Sequence, residues 1–224
     1  MEVAVVTEST KNILKALTDF LKVPFNENGY ILKKDRYFEH VEQNGRIRRY
    51  AINLSNKKGW FSLHLTLQML DPALMKSVNI ILEKALRDER LEYPENWSQS
   101  IIEKTIKTRT SNHIVAELTD WRGLKDPSEP LEHFNKRFSI WLYSFDHLDE
   151  MPDWEEQLMA SFELAMIWFR EVDSDDWIRS NTVYPSLYLL NKEGLKQSLE
   201  KQYRATLQSS EDPQEVKLFH EYLP

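Results

Sequence analysis

The chain has 224 residues, a formal net charge of -7 and no cysteine, so it is long enough for one medium domain but cannot form disulfides, thiolate nucleophiles or Cys-based metal centres. Its acidity argues against nonspecific binding to nucleic acid and favours basic partners. Seven Trp, nine Tyr and ten Phe against five Gly point to a well-packed, largely helical protein.

Residues 1–6 form an apolar run without a basic leader, and nowhere do about eighteen apolar residues follow one another. Neither a secretory signal nor a membrane span is expected, and the chain reads as cytoplasmic. Thr7 or Ser9 is placed to cap a first helix with Ile13, Leu14, Leu17, Phe20 and Leu21 on one stripe. Pro24 should end it. Asn28-Gly29 then turns the chain into a short segment, Tyr30 to Lys33.

Strand periodicity, turn chemistry and register can be read together from Arg36 to Leu70. Asn44-Gly45 suits a two-residue type I′ turn, which would set Val41 opposite Arg48, Glu39 opposite Tyr50 and Tyr37 opposite Ile52. A four-residue loop, Asn56 to Gly59, would then lead into a third strand. That strand alternates Phe61, Leu63, Leu65, Leu67 and Met69 with Trp60, Ser62, His64, Thr66 and Gln68. The leucine side should be the inner face. In this register His40, Arg49 and Thr66 share one row of the opposite face, and Phe38, Ala51 and His64 share the next.

Asp71-Pro72 opens a helix with Leu74, Val78, Ile81, Leu82 and Ala85 on one side, expected on the leucine face of the sheet. Between Glu92 and Asp120 the spacing favours a helix capped by Asn96, or an irregular segment, and then one strand, Ile114 to Leu118. Ser128 and Pro130 start a helix whose stripe runs through Leu131, Phe134, Phe138, Trp141, Leu142 and Phe145. Asp153-x-x-Glu156 begins its antiparallel partner, forming a helical hairpin. A short helical piece holds Trp177 and Ile178, and Pro185 separates it from Leu187 to Leu190. Asn191 caps the next helix, with Leu190 and Leu195 as a hydrophobic staple, and Asp212-Pro213-Gln214-Glu215 starts the last.

The fold class expected is α+β: a small antiparallel β-meander with helices on one face and a helical C-terminal half. One domain over 1–224 is expected; any subdivision would fall near Trp121 to Ser128, into 1–122 and 123–224. The leading helix, Gly29-Tyr30 with Lys33, then Asn53-Leu54-Ser55 and Phe61-x-Leu63-His64-Leu65, resembles the bacterial domain-of-unknown-function 4304 group over residues 10–70. That resemblance implies an α+β domain and no catalytic residue.

The nearest thing to a site is a patch on the polar face of the sheet, His40, Arg49, Asn53, His64 and Gln68. It is either a ligand-binding or acid–base surface, or simply the wet side of an alternating sheet. Asp146-His147 with Asp149, Glu150 and Asp153 is an acidic cluster around a histidine of the kind that can hold a metal, and reads first as a solvated loop that complements a helix N-terminus. Glu171, Asp173, Asp175 and Asp176 read as a solvated run, or as a surface for a basic partner. No Gly-rich phosphate loop, HExxH or GxSxG occurs, and no cofactor or metal is expected. These features place first an interaction or binding protein with a basic protein partner, of which an immunity-type protein masking a basic toxin is one version. The alternative is a small-ligand protein or enzyme using the sheet patch. Neither nucleic acid nor a membrane is expected as partner.

Overall fold

A computed structural model describes residues 9–138 and 144–224. The apolar run at 1–6, the alternative cap Thr7, and Trp141 and Leu142 of the aromatic stripe lie outside the described residues.

The first helix, α1 (Thr10–Glu27), begins at Ser9, whose Oγ accepts from the Asn12 N–H at 3.2 Å. Pro24 does not end it. The helix runs on for one more turn, because Phe25 is fully buried among Tyr30, Phe38, Tyr50 and Phe162. Termination comes at Asn28-Gly29. The Gly29 N–H donates to Asn26 O (3.0 Å) and the Tyr30 N–H to Phe25 O (2.9 Å), the paired bonds of a Schellman cap, with Gly29 left-handed at φ 78°.

β1 (Ile31–Lys33), β2 (Tyr37–Val41), β3 (Ile47–Lys57), β4 (Trp60–Leu70) and β5 (Ile114–Leu118) form one antiparallel meander in the order β1-β2-β3-β4-β5. The first hairpin differs from the expected register by one residue: His40 faces Arg48, Phe38 faces Tyr50 and Tyr37 faces Ala51. The Glu42 N–H donates to Arg46 O at 2.8 Å, leaving a three-residue loop, Gln43 to Gly45. Only Gly45 in it is left-handed (φ 85°), whereas a type I′ turn would need Asn44 there as well. The two-residue turn lies instead between β3 and β4, where Lys58 (φ 56°) and Gly59 (φ 89°) are both left-handed, so the expected four-residue loop is not formed.

This slip turns β2 over. Phe38 enters the inner face and stacks on Phe25, with centroids 4.3 Å apart and planes within 8°. Tyr37 and Glu39 move to the outer face. β4 faces as its alternation predicts, with Phe61, Leu63, Leu65, Leu67 and Met69 all buried. The inner face is covered by α1 and by α5 (Trp154–Val172), whose Ser161 Oγ shares a 2.7 Å hydrogen bond with the buried Tyr50 hydroxyl.

Beyond β5, a 3-10 turn (Trp121–Leu124) brings the Trp121 indole to donate to Leu65 O at 2.8 Å. α4 (Leu131–Arg137) is short and stops at Phe138. The aromatic stripe is therefore not one helix, and α4 and α5 are not the simple hairpin expected. Phe145 instead forms an antiparallel bridge with Phe61, through N–H···O bonds of 2.7 and 3.0 Å. Backbone groups at a sheet edge need partners, and this demand outweighs helical spacing at Phe145.

The chain divides into two compact units, residues 1–69 with 117–171 and residues 70–116 with 172–224. In the second, α2 (Pro72–Leu86) starts at Asp71, whose carboxylate accepts from the Leu74 N–H at 2.8 Å. It packs on α3 (Gln99–Thr110), α7 (Tyr184–Lys192) and α9 (Pro213–Glu221), so its leucine side serves that unit. Ser98, not Asn96, caps α3. α6 (Asp175–Asn181) holds Trp177 and Ile178, capped by Ser174.

Asn191 lies inside α7, and α8 (Lys196–Ser209) starts later. Gly194 is left-handed (φ 70°), its N–H donates to Asn191 O and that of Leu195 to Leu190 O, both at 3.0 Å. The five-residue spacing of Leu190 and Leu195 thus belongs to a C-terminal Schellman cap rather than to an N-terminal staple. Asp212 caps α9 as expected, its carboxylate accepting from the Glu215 N–H at 3.1 Å. The Glu215 side chain does not reach back to complete a capping box. It is buried, accepts from Arg109 Nη1 (2.6 Å) and Nη2 (2.5 Å) and from the Tyr184 hydroxyl, and so ties α9 to α3 and α7.

Candidate functional site

The one-residue slip in the first hairpin takes His40 off the face that carries the other four residues of the expected patch. Arg49 and Gln68 do meet, within a ladder that crosses four strands. Arg49 Nε donates to Glu39 Oε1 (2.6 Å), Arg49 Nη1 to Gln68 Oε1 (3.2 Å), and Gln68 Nε2 to Glu117 Oε1 (2.6 Å). The Arg49 guanidinium also lies over the Tyr37 ring, 4.9 Å from its centroid. Here the polar groups satisfy one another. His40 sits on the opposite face, its Nδ1 3.0 Å from Gly29 O and its Nε2 3.6 Å from Glu42 Oε1. Asn53 is half-buried farther along β3, and His64 projects from β4 into a separate cleft.

That cleft has a volume of about 480 Å³, with His64, Thr66, Thr119, Asp120, Arg122 and Asn135 among the side chains around it. The Asp120 carboxylate accepts from Arg122 Nε and Nη2, both at 2.7 Å, and from the Arg122 N–H at 3.1 Å. This guanidinium holds the Asp120 carboxyl below the usual carboxylate range, and the carboxylate raises Arg122 in turn. Neither group can exchange a proton near neutrality, so the pair supplies fixed charge rather than acid–base chemistry.

On the other side of α4 runs a groove against the start of α5. Three adjoining cavities of about 340, 590 and 760 Å³ share Asp153. A 3-10 turn (Leu148–Glu150), anchored by buried Leu148 and Met151, brings the chain to Asp153, and the first turn of α5 adds Glu155 and Glu156. Acidic residues suit that position because the N-terminal end of a helix carries partial positive charge. Glu132 lines the groove from α4. Leu131 beside it is 48 % exposed.

Some exposed carboxylates of this chain are held by arginines, as Glu83 and Glu103 are by Arg87, Glu221 by Arg90 and Glu200 by Arg204, while others, such as Glu89, Glu92 and Glu211, are not. Among the described residues, Glu132, Asp149, Asp153, Glu155 and Glu156 form no ion pair. The carboxyls of Asp146 and Glu150, in the chain leading to the groove, influence each other's protonation. The proximity of the two lowers Asp146 and raises Glu150. Of the groove's cations, Arg137 is engaged by Glu129 at 2.8 Å and lies over the Phe134 and Phe138 rings, which leaves Lys136 against five carboxylates.

Asp149, Glu150 and Asp153 stand out in the sequence as an acidic loop, but nothing in the spacing ties them to Glu132 or marks the groove. Among the described residues no three His, Asp or Glu side chains are placed to hold a metal ion, and no helix is long and apolar enough to cross a membrane. No protein-family model, curated protein or solved structure matches the chain.

Proposed function

We propose that this protein is a binding module whose α4–α5 groove receives a basic segment of a protein partner. The observation that carries the reading is the concentration of five carboxylates, none in an ion pair among the described residues, around three adjoining cavities that share Asp153. A lysine or arginine entering the groove would supply the missing counter-charge, and the net charge of -7 would speed encounter with such a partner. Exposed Leu131 offers the partner an apolar contact within the acidic rim. A protein that masks a basic toxin is one version of this function.

Affinity capture from a native extract tests it, with wild type, the groove variant Asp153→Lys/Glu156→Lys, and the remote control Glu89→Lys/Glu211→Lys, which has the same net charge. Wild type and control should retain the same basic protein, released as salt screens the contact, and the groove variant should not. Equal retention by the groove variant, or no basic protein on any of the three, refutes the proposal.

A further inference from the structure

We infer that the cleft beside β4 is a second binding site, whose lining shares Asn135 alone with the acidic groove, and that it takes a small neutral polyhydroxylated ligand of the sugar class. Its wall is set by backbone demand: the Trp121 indole occupies Leu65 O, which fixes the turn that carries Thr119, Asp120 and Arg122 opposite His64 and Thr66. α4 closes the remaining side with Asn135. The volume of about 480 Å³ falls within the range of roughly 300–1,000 Å³ common for small-ligand pockets.

The lining narrows the ligand class by elimination. The side chains of His64, Thr66, Thr119 and Asn135 make no hydrogen bond within the described residues, so an apolar ligand would strip them of water without replacement. A charged ligand gains little, because Arg122 and Asp120 already neutralise each other through two parallel bonds. Flat aromatic ligands need an exposed ring face. Trp121, Phe134 and Phe138 expose only 3, 2 and 1 % of their surfaces, so none of the described rings around the cleft offers one. What remains is a ligand that both donates and accepts at several points. Vicinal hydroxyls do this, and the Asp120–Arg122 pair presents an acceptor and a donor side by side for them.

The test follows the His64 imidazole resonances of the intact protein, assigned with His64→Gln, during titration with glucose, galactose, mannose, ribose, inositol and maltose. Glucose 6-phosphate and adenosine serve as charged and aromatic comparisons. At least one neutral sugar or polyol should shift His64 saturably, and Asn135→Ala should weaken that binding about tenfold. Thr119→Val, at an exposed position, should weaken it as well. Silence of His64 towards every neutral probe, a response to glucose 6-phosphate or adenosine alone, or a sugar response unchanged in both variants overturns the assignment.

Discussion

Replacing Phe38 with alanine probes the facing of β2, on which the arrangement of the sheet depends. The ring is 0 % exposed, stacked on Phe25 at 4.3 Å and opposite the buried Tyr50. Removing a buried phenylalanine costs about 3–5 kcal/mol, from lost transfer energy and the cavity left behind. Its neighbour Tyr37 lies on the outer face, half-buried, and its main described contact is the Arg49 guanidinium, so Tyr37→Ala should cost only about 1 kcal/mol. Had the Asn44-Gly45 turn set the register, Tyr37 would be inside and Phe38 outside, and the two costs would exchange order. Urea unfolding followed by tryptophan fluorescence measures both. Thermal midpoints should fall by roughly 6–20 °C for Phe38→Ala, at about 2–4 °C per kcal/mol for a chain of this length. A Phe38→Ala cost equal to or below that of Tyr37→Ala would refute the inner placement of Phe38 and the one-residue slip with it.

Arg109→Ala strands the buried Glu215 carboxylate with Tyr184 as its remaining side-chain donor, and denaturant unfolding should show a loss of about 2–3 kcal/mol. This lies below the full cost of breaking a buried pair because the Arg109 side chain is 39 % exposed; Arg90→Ala, at a surface pair, should lose under ~1 kcal/mol. Burial pushes the Tyr50 and Tyr184 phenols above their ordinary value, so the stability they contribute is complete below about pH 10 and lost as pH rises through their folded values. Ultraviolet titration should therefore show these two ionising only as the chain unfolds; reversible ionisation of all nine tyrosines in the folded protein would contradict their burial. Lys58→Gly should stabilise by ~0.5–1 kcal/mol, since Lys58 is left-handed at φ 56°, while Asn44→Gly, at a position with ordinary φ, should bring no gain in the same unfolding assay.

Local chemistry explains why some elements are legible. Serine at position 9 and aspartates at 71 and 212 occupy the caps of α1, α2 and α9, because a side-chain oxygen three residues before an unpaired N–H is a short-range device. Other signals admit two structures. Leu190 and Leu195 fit the spacing of an N-terminal staple and of a Schellman cap equally, and Gly194 between them selects the second. The stripe from Leu131 to Phe145 has helical spacing, yet Phe145 is drawn off to bridge Phe61.

The candidate surfaces were less legible still, because each gathers residues far apart in the chain. His64 joins Asp120 and Asn135 at one cleft, and Glu132 joins Asp153 at the other. Strict alternation along β4 determined by itself which side chains face inward, since a period of two leaves only one apolar side. The partner register of β2 was decided only by tertiary packing. Asn44-Gly45 permits loops of two or three residues, and the three-residue loop prevails because it sets Phe38 against Phe25 in the core while Glu39 and Arg49 meet outside.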